Sequence, residues 1–236
     1  MYSGRLKPID YEAAIEARAD WKDPNFPTNT DSLLDSDIRN RDSHQQWNSF
    51  TWKRPEEHYG AGNFILYEEP TATDIQQGLC GDCYFLASLS AIAEYPKRIA
   101  QIFKTKKINE AGCYAVQMII NGESRVVVVD DYFPFNPATD TWAFARPSKT
   151  KDRNNEIWVL IVEKAWAKVF GSYQRIEAGM VGEAMYPLTG CASTGFRHDD
   201  VVDVDGFWKR LVSADKRKYP MCVSTFSRLD KDVNAA

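Results

Sequence analysis

The sequence predicts an α+β domain made of two buried helices and a small antiparallel sheet. Apolar residues recur at helical spacing after Cys83 and again between Glu156 and Val169. Asn121 and Gly122 separate two runs rich in β-branched residues, which is a strong hairpin signal. With 236 residues and 44% hydrophobic content, the chain has enough apolar material for one large domain, or for a domain with an extension.

The N-terminal region predicts one helix followed by a long loop. Asp10 precedes a weakly amphipathic run at 11–17 and is a suitable N-cap. Residues 22–49 are rich in Asp, Asn, Pro and Ser, which favours loop. No internal repeat or low-complexity tract is visible.

The segment from Gln77 to Cys83 combines a glutamine, two glycines and a cysteine at the start of an apolar helix. The free N–H groups and dipole of a first helical turn favour a thiolate at Cys83. Gln77 can offer an amide to the oxyanion that forms when a thiolate attacks a carbonyl. Gly78 and Gly81 permit the turn and a close substrate approach. The competing interpretation is a buried structural cysteine that opens a helix.

Cys80 and Cys83 also form a C-x-x-C pair, which supports a rival hypothesis of a redox or metal site. Zinc would need two more ligands, and the sequence has neither a second C-x-x-C nor a paired histidine motif. The five cysteines are odd in number and unevenly spaced, so we expect reduced thiols rather than a disulfide framework.

Proline and glycine residues, together with the spacing of apolar residues, predict the helices and strands after Cys83. Pro96 predicts a break followed by a short helix at 97–103, and the hairpin strands are expected at 113–120 and 124–131. The long helix from Glu156 should be largely buried, capped by Asn154 or Asn155 and ended by Gly171.

The last predicted helix starts at Asp205 and stops at Tyr219 and Pro220, before a strand at 221–226 and a frayed polar tail at 227–236. Glu163 and Lys164 are interpreted as polar groups satisfied within a buried helix, not as an acid/base pair.

The run DIQQGLCGDC at 74–83 resembles the nucleophile signature of the calpain family of cysteine endopeptidases. Further blocks match in the family's order: DPNFP at 23–27, WKRP at 52–55, VVVDDYFP at 127–134, NEIW at 155–158, EKAWAK at 163–168, GSY at 171–173, GEA at 182–184 and LTG at 188–190. The resemblance covers residues 23–226. It implies a papain-like cysteine protease fold, here the mainly helical, cysteine-bearing first subdomain, with 1–22 as an extension and 227–236 as a polar tail or truncated linker.

The resemblance implies peptide-bond hydrolysis through Cys83, with Gln77 at the oxyanion hole. The family's histidine and asparagine stand in Gly-His-Ala and Asn-Pro-Trp contexts that this sequence lacks, so we expect the chain to be inactive alone. His44 and His58 are interpreted as solvated surface, and His198 occupies no family position for the base. The alternatives are a catalytically dead, protein-binding remnant and, more remotely, the Cys80/Cys83 redox site.

The resemblance also implies a calcium site formed by Tyr67, Glu69, Asp74 and Glu156, since Ca²⁺ prefers carbonyl and carboxylate oxygens. Glu69 replaces a family glycine, and Ala72 replaces an arginine that links the two subdomains. The competing interpretation is that Asp74 caps the nucleophile turn and Glu156 caps the long helix.

The charge and hydrophobicity of the sequence indicate which classes of partner and which compartment to expect. The 29 basic and 33 acidic residues give a net charge of −4, with no basic footprint for nucleic acid. The N-terminus lacks the apolar core of a signal peptide, and the longest aliphatic run, 126–129, is too short to span a bilayer. We expect a cytoplasmic protein whose partners are protein substrates and the His/Asn-bearing subdomain, in cis or in trans.

Overall fold

The computed structural model describes residues 4–35, 42–147 and 155–225, except for the side chains of 42 and 43. These residues form two compact units that divide after Thr194. The α-helices are α1 Tyr11–Glu16, α2 Thr30–Leu33, α3 Pro55–Tyr59, α4 Cys83–Ala93, α5 Pro96–Ile102, α6 Trp158–Phe170, α7 Val181–Thr189 and α8 Val204–Lys216. The strands are β1 Thr51–Lys53, β2 Phe64–Ile65, β3 Ile75–Gln76, β4 Cys113–Ile120, β5 Glu123–Asp130, β6 Phe133–Asn136, β7 Thr141–Trp142, β8 Arg146–Pro147 and β9 Asn155–Glu156.

The sheets of the first unit are small and mostly antiparallel. β1, β6 and β7 form a three-stranded sheet with β6 in the centre, and β3 pairs with β8. β4 and β5 form the long hairpin, while β2 and β9 make a short parallel pair. The predicted α+β fold class is therefore confirmed.

The two predicted core helices, α4 and α6, pack against each other. The Phe85 ring of α4 stacks on the Trp166 ring of α6, with centroids 5.0 Å apart and planes 5° from parallel. Trp166 Nε1 also donates to the Tyr84 hydroxyl at 3.1 Å. Since aromatic contacts of this kind bury large apolar surfaces, they fix the helix that carries Cys83 against the centre of the core.

The hairpin was predicted correctly, with its two-residue turn. Asn121 and Gly122 have φ angles of 53° and 81°. Both values lie in the left-handed region that a type I′ turn requires, and Asn and Gly adopt it at the lowest cost. β4 and β5 then pair in register over their whole length, from Ile120 opposite Glu123 to Cys113 opposite Asp130.

The predicted cap of the long helix is wrong. α6 starts at Trp158 with Ile157 at the N-cap, and no side chain caps it. Asn155 lies instead in β9, where its backbone N–H and side-chain amide both donate to the Asn63 carbonyl; Asn154 lies outside the described residues. The predicted C-terminus is correct, because Gly171 ends α6 in the left-handed conformation at φ 111°.

Two buried ion pairs join α6 to the hairpin and the N-terminal segment. Lys164 donates to Asp130 and to the Tyr132 carbonyl, and Lys168 donates to Asp23 at 2.6 Å. The Asp23 backbone N–H in turn donates to Asp130 at 2.7 Å. The structural interpretation of Lys164 is confirmed, since its charge is matched inside the core.

The predicted long loop at 22–49 contains more structure than expected. α2 lies within it, and residues Asp42–Ser49 form a 3₁₀ segment. Leu33 and Trp47 are both about 1% exposed, so apolar anchors hold this polar stretch to the core. Residues 36–41 lie outside the described part of the chain.

The second unit, from Gly195, contains a 3₁₀ turn at His198–Asp200 and α8. α8 starts at Val204, one residue before the predicted Asp205, and Asp203 caps it by accepting from the Gly206 N–H at 2.9 Å. The predicted strand at 221–226 is wrong for residues 221–225, which form no ladder, and the tail lies outside the described residues. Within the described ranges, no helix is both long and apolar enough to cross a bilayer.

Candidate active site

Cys83 is the first residue of α4 and the solvent-facing one of its N-terminal turn. The next three residues are buried, whereas Cys83 is exposed. The Asp82 carbonyl accepts from the N–H groups of Phe85 and Leu86, at 2.8 and 3.2 Å. The N–H of Cys83 itself precedes any intrahelical partner, so a thiol and a backbone donor lie together at the surface.

The Gln77 amide lies on the same turn as Cys83. Its Nε2 donates to the Cys80 carbonyl at 2.8 Å, and the residue is exposed. A primary amide has two hydrogens, so this bond fixes the orientation of the group and leaves a second N–H for another acceptor. The oxyanion role of Gln77 stays a prediction, and the bond to Cys80 shows that the amide is held within the turn that leads to Cys83.

Gly78 lies directly against the segment that follows β7. A Cβ added there would be 1.9 Å from the Phe144 carbonyl oxygen, so only glycine fits. The next N–H, from Leu79, donates to the Ala143 carbonyl at 2.9 Å. At Gly81 the same added atom would meet nothing closer than Glu177 Oε1 at 3.4 Å. The glycine requirement is therefore steric at Gly78 and weak at Gly81.

Cys80, the first cysteine of the C-x-x-C pair, is a buried thiol. It is 1% exposed, and its Sγ donates to the Tyr173 carbonyl at 3.5 Å. Burial raises the pKa of the Cys80 thiol well above its usual range. A protonated, enclosed sulfur is a poor partner for thiol exchange. Among the described residues no group of three or more His, Cys, Asp or Glu side chains is placed to hold a metal.

Asp82, the residue before the nucleophile, is fully buried and faces Glu163 of α6. Burial raises the pKa of Asp82 to about 7, and burial followed by the charge of Asp82 raises the pKa of Glu163 well above its usual range. Both oxygens of Glu163 accept from the Ala145 N–H, at 2.9 and 3.1 Å. Two carboxyls in one low-dielectric space retain a proton, which they share.

The interpretation of His44 and His58 as solvated surface is wrong. His44 has 14% of its side chain exposed, and its Nε2 lies 2.6 Å from Glu177 Oε2. His58 packs against the rings of Tyr59, Phe135 and Trp142, and burial lowers its pKa. Both imidazoles are half-buried by partners that include residues far away in the sequence, Glu177 at His44 and Phe135 and Trp142 at His58, which local polarity could not reveal.

No imidazole is bonded to the nucleophile. His198 lies exposed in the second unit, and in the described part of the chain no histidine forms a hydrogen bond with the Cys83 sulfur. A general base must come within hydrogen-bond reach of the thiol. The described residues therefore bring together an exposed thiol and N–H donors, and no imidazole of the first unit is hydrogen-bonded to that thiol.

The proposed calcium ligands lie around the turn that precedes β3. Asp74 accepts from the Thr71 N–H at 2.6 Å and from Trp158 Nε1 at 3.4 Å, so it caps the 3₁₀ turn at Ala72–Asp74 and not the nucleophile turn of the competing interpretation. Glu156 does not cap α6; its Oε1 accepts from the Glu68 N–H at 2.8 Å. Its Oε2 is buried and has no hydrogen-bond partner among the residues that the structure describes. Burial first, then the charge of Asp74, raises the pKa of Glu156 to about 7.

Comparison with known proteins agrees with this geometry. The profile of the calpain family cysteine protease domain matches residues 21–235. The chain is 37% identical over 198 residues to the calpain-type cysteine protease DEK1 of Arabidopsis thaliana, covering 80% of this chain and 9% of that protein. It is 32% identical to human calpain-12 over 198 residues and 31% identical to human calpain-9 over 200 residues.

The human matches cover 80% and 84% of this chain but only 26% and 27% of the relatives. The chain therefore spans about a quarter or less of the curated relatives it matches. Because the family profile extends over most of the sequence and includes the Cys83 turn, the chain belongs to the calpain family of cysteine proteases.

Proposed function

We propose that this chain carries the nucleophile of an intracellular, calpain-like cysteine endopeptidase that performs limited proteolysis. The Cys83 thiolate attacks a peptide carbonyl, and the resulting oxyanion accepts from the Cys83 N–H and the Gln77 amide. Collapse breaks the C–N bond, the amine leaves with a proton, and the acyl group remains on the sulfur. Water then cleaves the thioester and restores the thiol.

The single observation that supports this proposal most strongly is the exposed Cys83 at the start of a mostly buried helix, with the Gln77 amide hydrogen-bonded in the preceding turn. A structural cysteine at a helix start would be enclosed, as Cys80 is. Gly78 supports the same conclusion, because its close packing on Phe144 sets the path of the turn between amide and sulfur.

The proton acceptor belongs to another segment in this proposal. Family resemblance assigns the base and its orienting group to a histidine and an asparagine in a second subdomain. The relatives are several times longer than the aligned region, so such a subdomain can be supplied in cis or in trans. Substrates are proteins, and the expected compartment is the cytoplasm.

The test compares thiol reactivity and then activity. We expect iodoacetamide to label Cys83 faster than Cys191, which is also exposed but is not at a helix start, and faster than buried Cys113. When the chain is supplemented with a His/Asn-bearing calpain subdomain, peptide hydrolysis should appear and be abolished by Cys83→Ser. Equal labelling of Cys83 and Cys191 contradicts an activated thiol, and hydrolysis that persists in Cys83→Ser places the nucleophile elsewhere. Fast labelling without hydrolysis favours the dead, protein-binding alternative.

We further propose that calcium binds at Asp74 and Glu156, with the carbonyls of Tyr67 and Glu69 as additional ligands. The buried, unpartnered Oε2 of Glu156 supports this, because it is an oxygen acceptor without a donor. Bound calcium would neutralise the two carboxylates and so hold the turn before β3 to β9.

Calcium should raise the melting temperature of the wild-type chain more at pH 8 than at pH 6, because protons compete for Glu156, whose pKa is raised to about 7. Glu156→Gln should remove the calcium effect, whereas Glu69→Gln should keep it, since only the carbonyl of residue 69 is required. An equal calcium effect in Glu156→Gln would rule out this site.

A further inference from the structure

A hydrogen-bonded chain links the 3₁₀ segment Asp42–Ser49 to the turn that carries the nucleophile. His44 Nε2 lies 2.6 Å from Glu177 Oε2, and the other oxygen of that carboxylate accepts from the Gly81 N–H at 3.1 Å. Since an ionised carboxylate only accepts, the hydrogen of the first bond is on the imidazole. A short bond between an imidazole and a carboxylate is among the stronger hydrogen bonds in proteins.

Gly81 is held from both of its peptide groups. Its N–H donates to Glu177, and its carbonyl accepts from the Ala178 N–H at 3.0 Å. Gly81 precedes Cys83 by two residues, so the orientation of these peptides sets the direction in which the first turn of α4 begins. Ala178 adopts a left-handed φ of 58°, which is uncommon for a residue with a Cβ. The turn at 177–178 therefore adopts an unfavourable conformation while contacting the nucleophile turn.

The 3₁₀ segment contacts the same turn at a second point. Trp47, three residues after His44, is 1% exposed and packs edge-on against Phe144 with centroids 4.6 Å apart. Phe144 is the residue whose carbonyl excludes any side chain at Gly78. His44 and Trp47 also pack on each other, 4.8 Å apart and nearly perpendicular. One short segment thus supports both ends of the turn, at Gly78 through Phe144 and at Gly81 through Glu177.

We propose that His44 and Glu177 are positioning residues that fix the Gly81 peptide and thereby aim Cys83 and the oxyanion donors at the substrate carbonyl. The proposal rests on the proposed cysteine protease function and names two residues that act on it from outside the nucleophile motif. His44 does not contact the thiol, so its role is distinct from that of a general base.

The experiment measures the Gly81 peptide and the Cys83 thiol separately. ¹⁵N-glycine labelling reports the Gly81 amide, which is assigned by its loss in Gly81→Ala, a substitution that the site has space for. Iodoacetamide labelling reports Cys83, with Cys191 as the internal reference. The variants are His44→Phe and Glu177→Ala, which remove the bonds, and His44→Gln and Glu177→Gln, which keep a donor or an acceptor. His58→Phe is the matched control, because that imidazole already lies among aromatic rings.

We expect His44→Phe and Glu177→Ala to move the Gly81 amide proton upfield and to slow Cys83 labelling roughly tenfold relative to Cys191, because a misdirected first turn of α4 stabilises the Cys83 thiolate less. The double variant should be no slower than either single one, since both remove the same connection. His44→Gln and Glu177→Gln should recover most of the rate, and His58→Phe should leave both signals unchanged.

An unchanged Gly81 amide, or an unchanged Cys83 rate in a variant whose amide has moved, overturns the positioning role while wild-type Cys83 remains fast. If wild-type Cys83 is no faster than Cys191, the protease function is the part that fails. In that case the chemical shift of the Gly81 amide is the only measurement that tests whether His44 and Glu177 fix this turn. Should Glu177→Ala not fold, the His44→Phe and His44→Gln pair gives the same decision.

Discussion

Glu163 and Lys164 are consecutive residues of α6, and they enter two opposite electrostatic environments. Lys164 is fully buried against Asp130 and the Tyr132 carbonyl, so its charge is matched. Glu163 is also buried but faces another carboxyl, Asp82, directly behind the nucleophile. The hairpin side of the helix holds balanced ion pairs, whereas the nucleophile side holds two acids and no base among the described residues.

The two sides of α6 contribute differently to the fold: the ion pairs stabilise it, and the facing carboxyls lie beside Cys83. Balanced buried pairs hold elements in register, and loss of either partner leaves an uncompensated charge. Two facing carboxyls oppose folding whenever both are ionised, so the side of α6 beside Cys83 loses stability as the pH rises. Four substitutions test this contrast, in order of decreasing expected effect.

The largest effect is expected at Lys164. Lys164→Met strands Asp130 without its cation in the core and should lower the free energy of unfolding by about 3–5 kcal/mol. Urea denaturation at pH 7 measures this loss. Lys164→Met combined with Asp130→Asn should recover part of it, because no unpaired charge remains. A Lys164→Met chain as stable as the wild type would show that the pair is not balanced as the contacts indicate.

Removing a carboxyl from the acidic side of α6 should raise the free energy of unfolding, whereas removing Lys164 lowers it. The pKa of Asp82 is raised to about 7 from 3.8, so the native state binds more protons than the unfolded chain between those values. Stability is therefore lost as the pH rises from about 4 to 7. Asp82→Asn removes this loss and should raise the free energy of unfolding at pH 8 by about 2–4 kcal/mol, with little gain at pH 4.

Urea denaturation across pH 4–8 checks this prediction, and Asp131→Asn is the control. Asp131 is also buried with its pKa raised to about 6, but it accepts from Arg54 at 2.7 Å. Because the attraction of Arg54 limits the rise in the Asp131 pKa to about 6, the control variant should gain less stability at pH 8 than Asp82→Asn does. Equal gains in both variants would mean that an opposing charge does not distinguish the two sites.

Glycine substitutions compare steric limits within the nucleophile turn. Gly78→Ala forces a Cβ onto the backbone of Phe144 and should cost about 1–3 kcal/mol, with slower Cys83 labelling. Gly81→Ala is the matched control, because its Cβ would sit at ordinary contact distance and its φ is not left-handed. Wild-type stability and labelling in Gly78→Ala would show that the close contact between Gly78 and Phe144 does not restrict residue 78 to glycine.

The sequence predicted the parts of this molecule that depend on local pattern. The Asn121-Gly122 hairpin, the end of α6 at Gly171 and the position of Cys83 on α4 all follow from residues within a few positions of one another. Resemblance to a family then identified Gln77 as the companion of Cys83, and the structure places that amide on the same turn.

The missed features depend on partners far apart in the chain. His44 pairs with a carboxylate 133 residues away. Asn155, a predicted helix cap, instead donates to the Asn63 carbonyl and lies in a parallel strand pair. Asp82 occupies the N-cap position of α4, and aspartate is a common capping residue. Its carboxylate nevertheless makes no capping hydrogen bond and is buried. Local propensity gives no signal of such tertiary contacts, which decide burial and protonation.

The smallest effect is expected at Cys80, where the contrast between an enclosed and an exposed thiol can be tested directly. Cys80→Ala removes one weak hydrogen bond and little volume, so we expect a loss of about 1 kcal/mol. Under oxidised glutathione, Cys83 should lose its free thiol at the same rate in Cys80→Ala as in the wild type, because the buried, protonated Cys80 does not compete for it. Mass spectrometry of the peptide containing both residues measures this. An internal disulfide that forms readily in the wild type and cycles with reductant would instead revive the redox interpretation, and it would require the turn to open far enough to release Cys80 from the Tyr173 carbonyl.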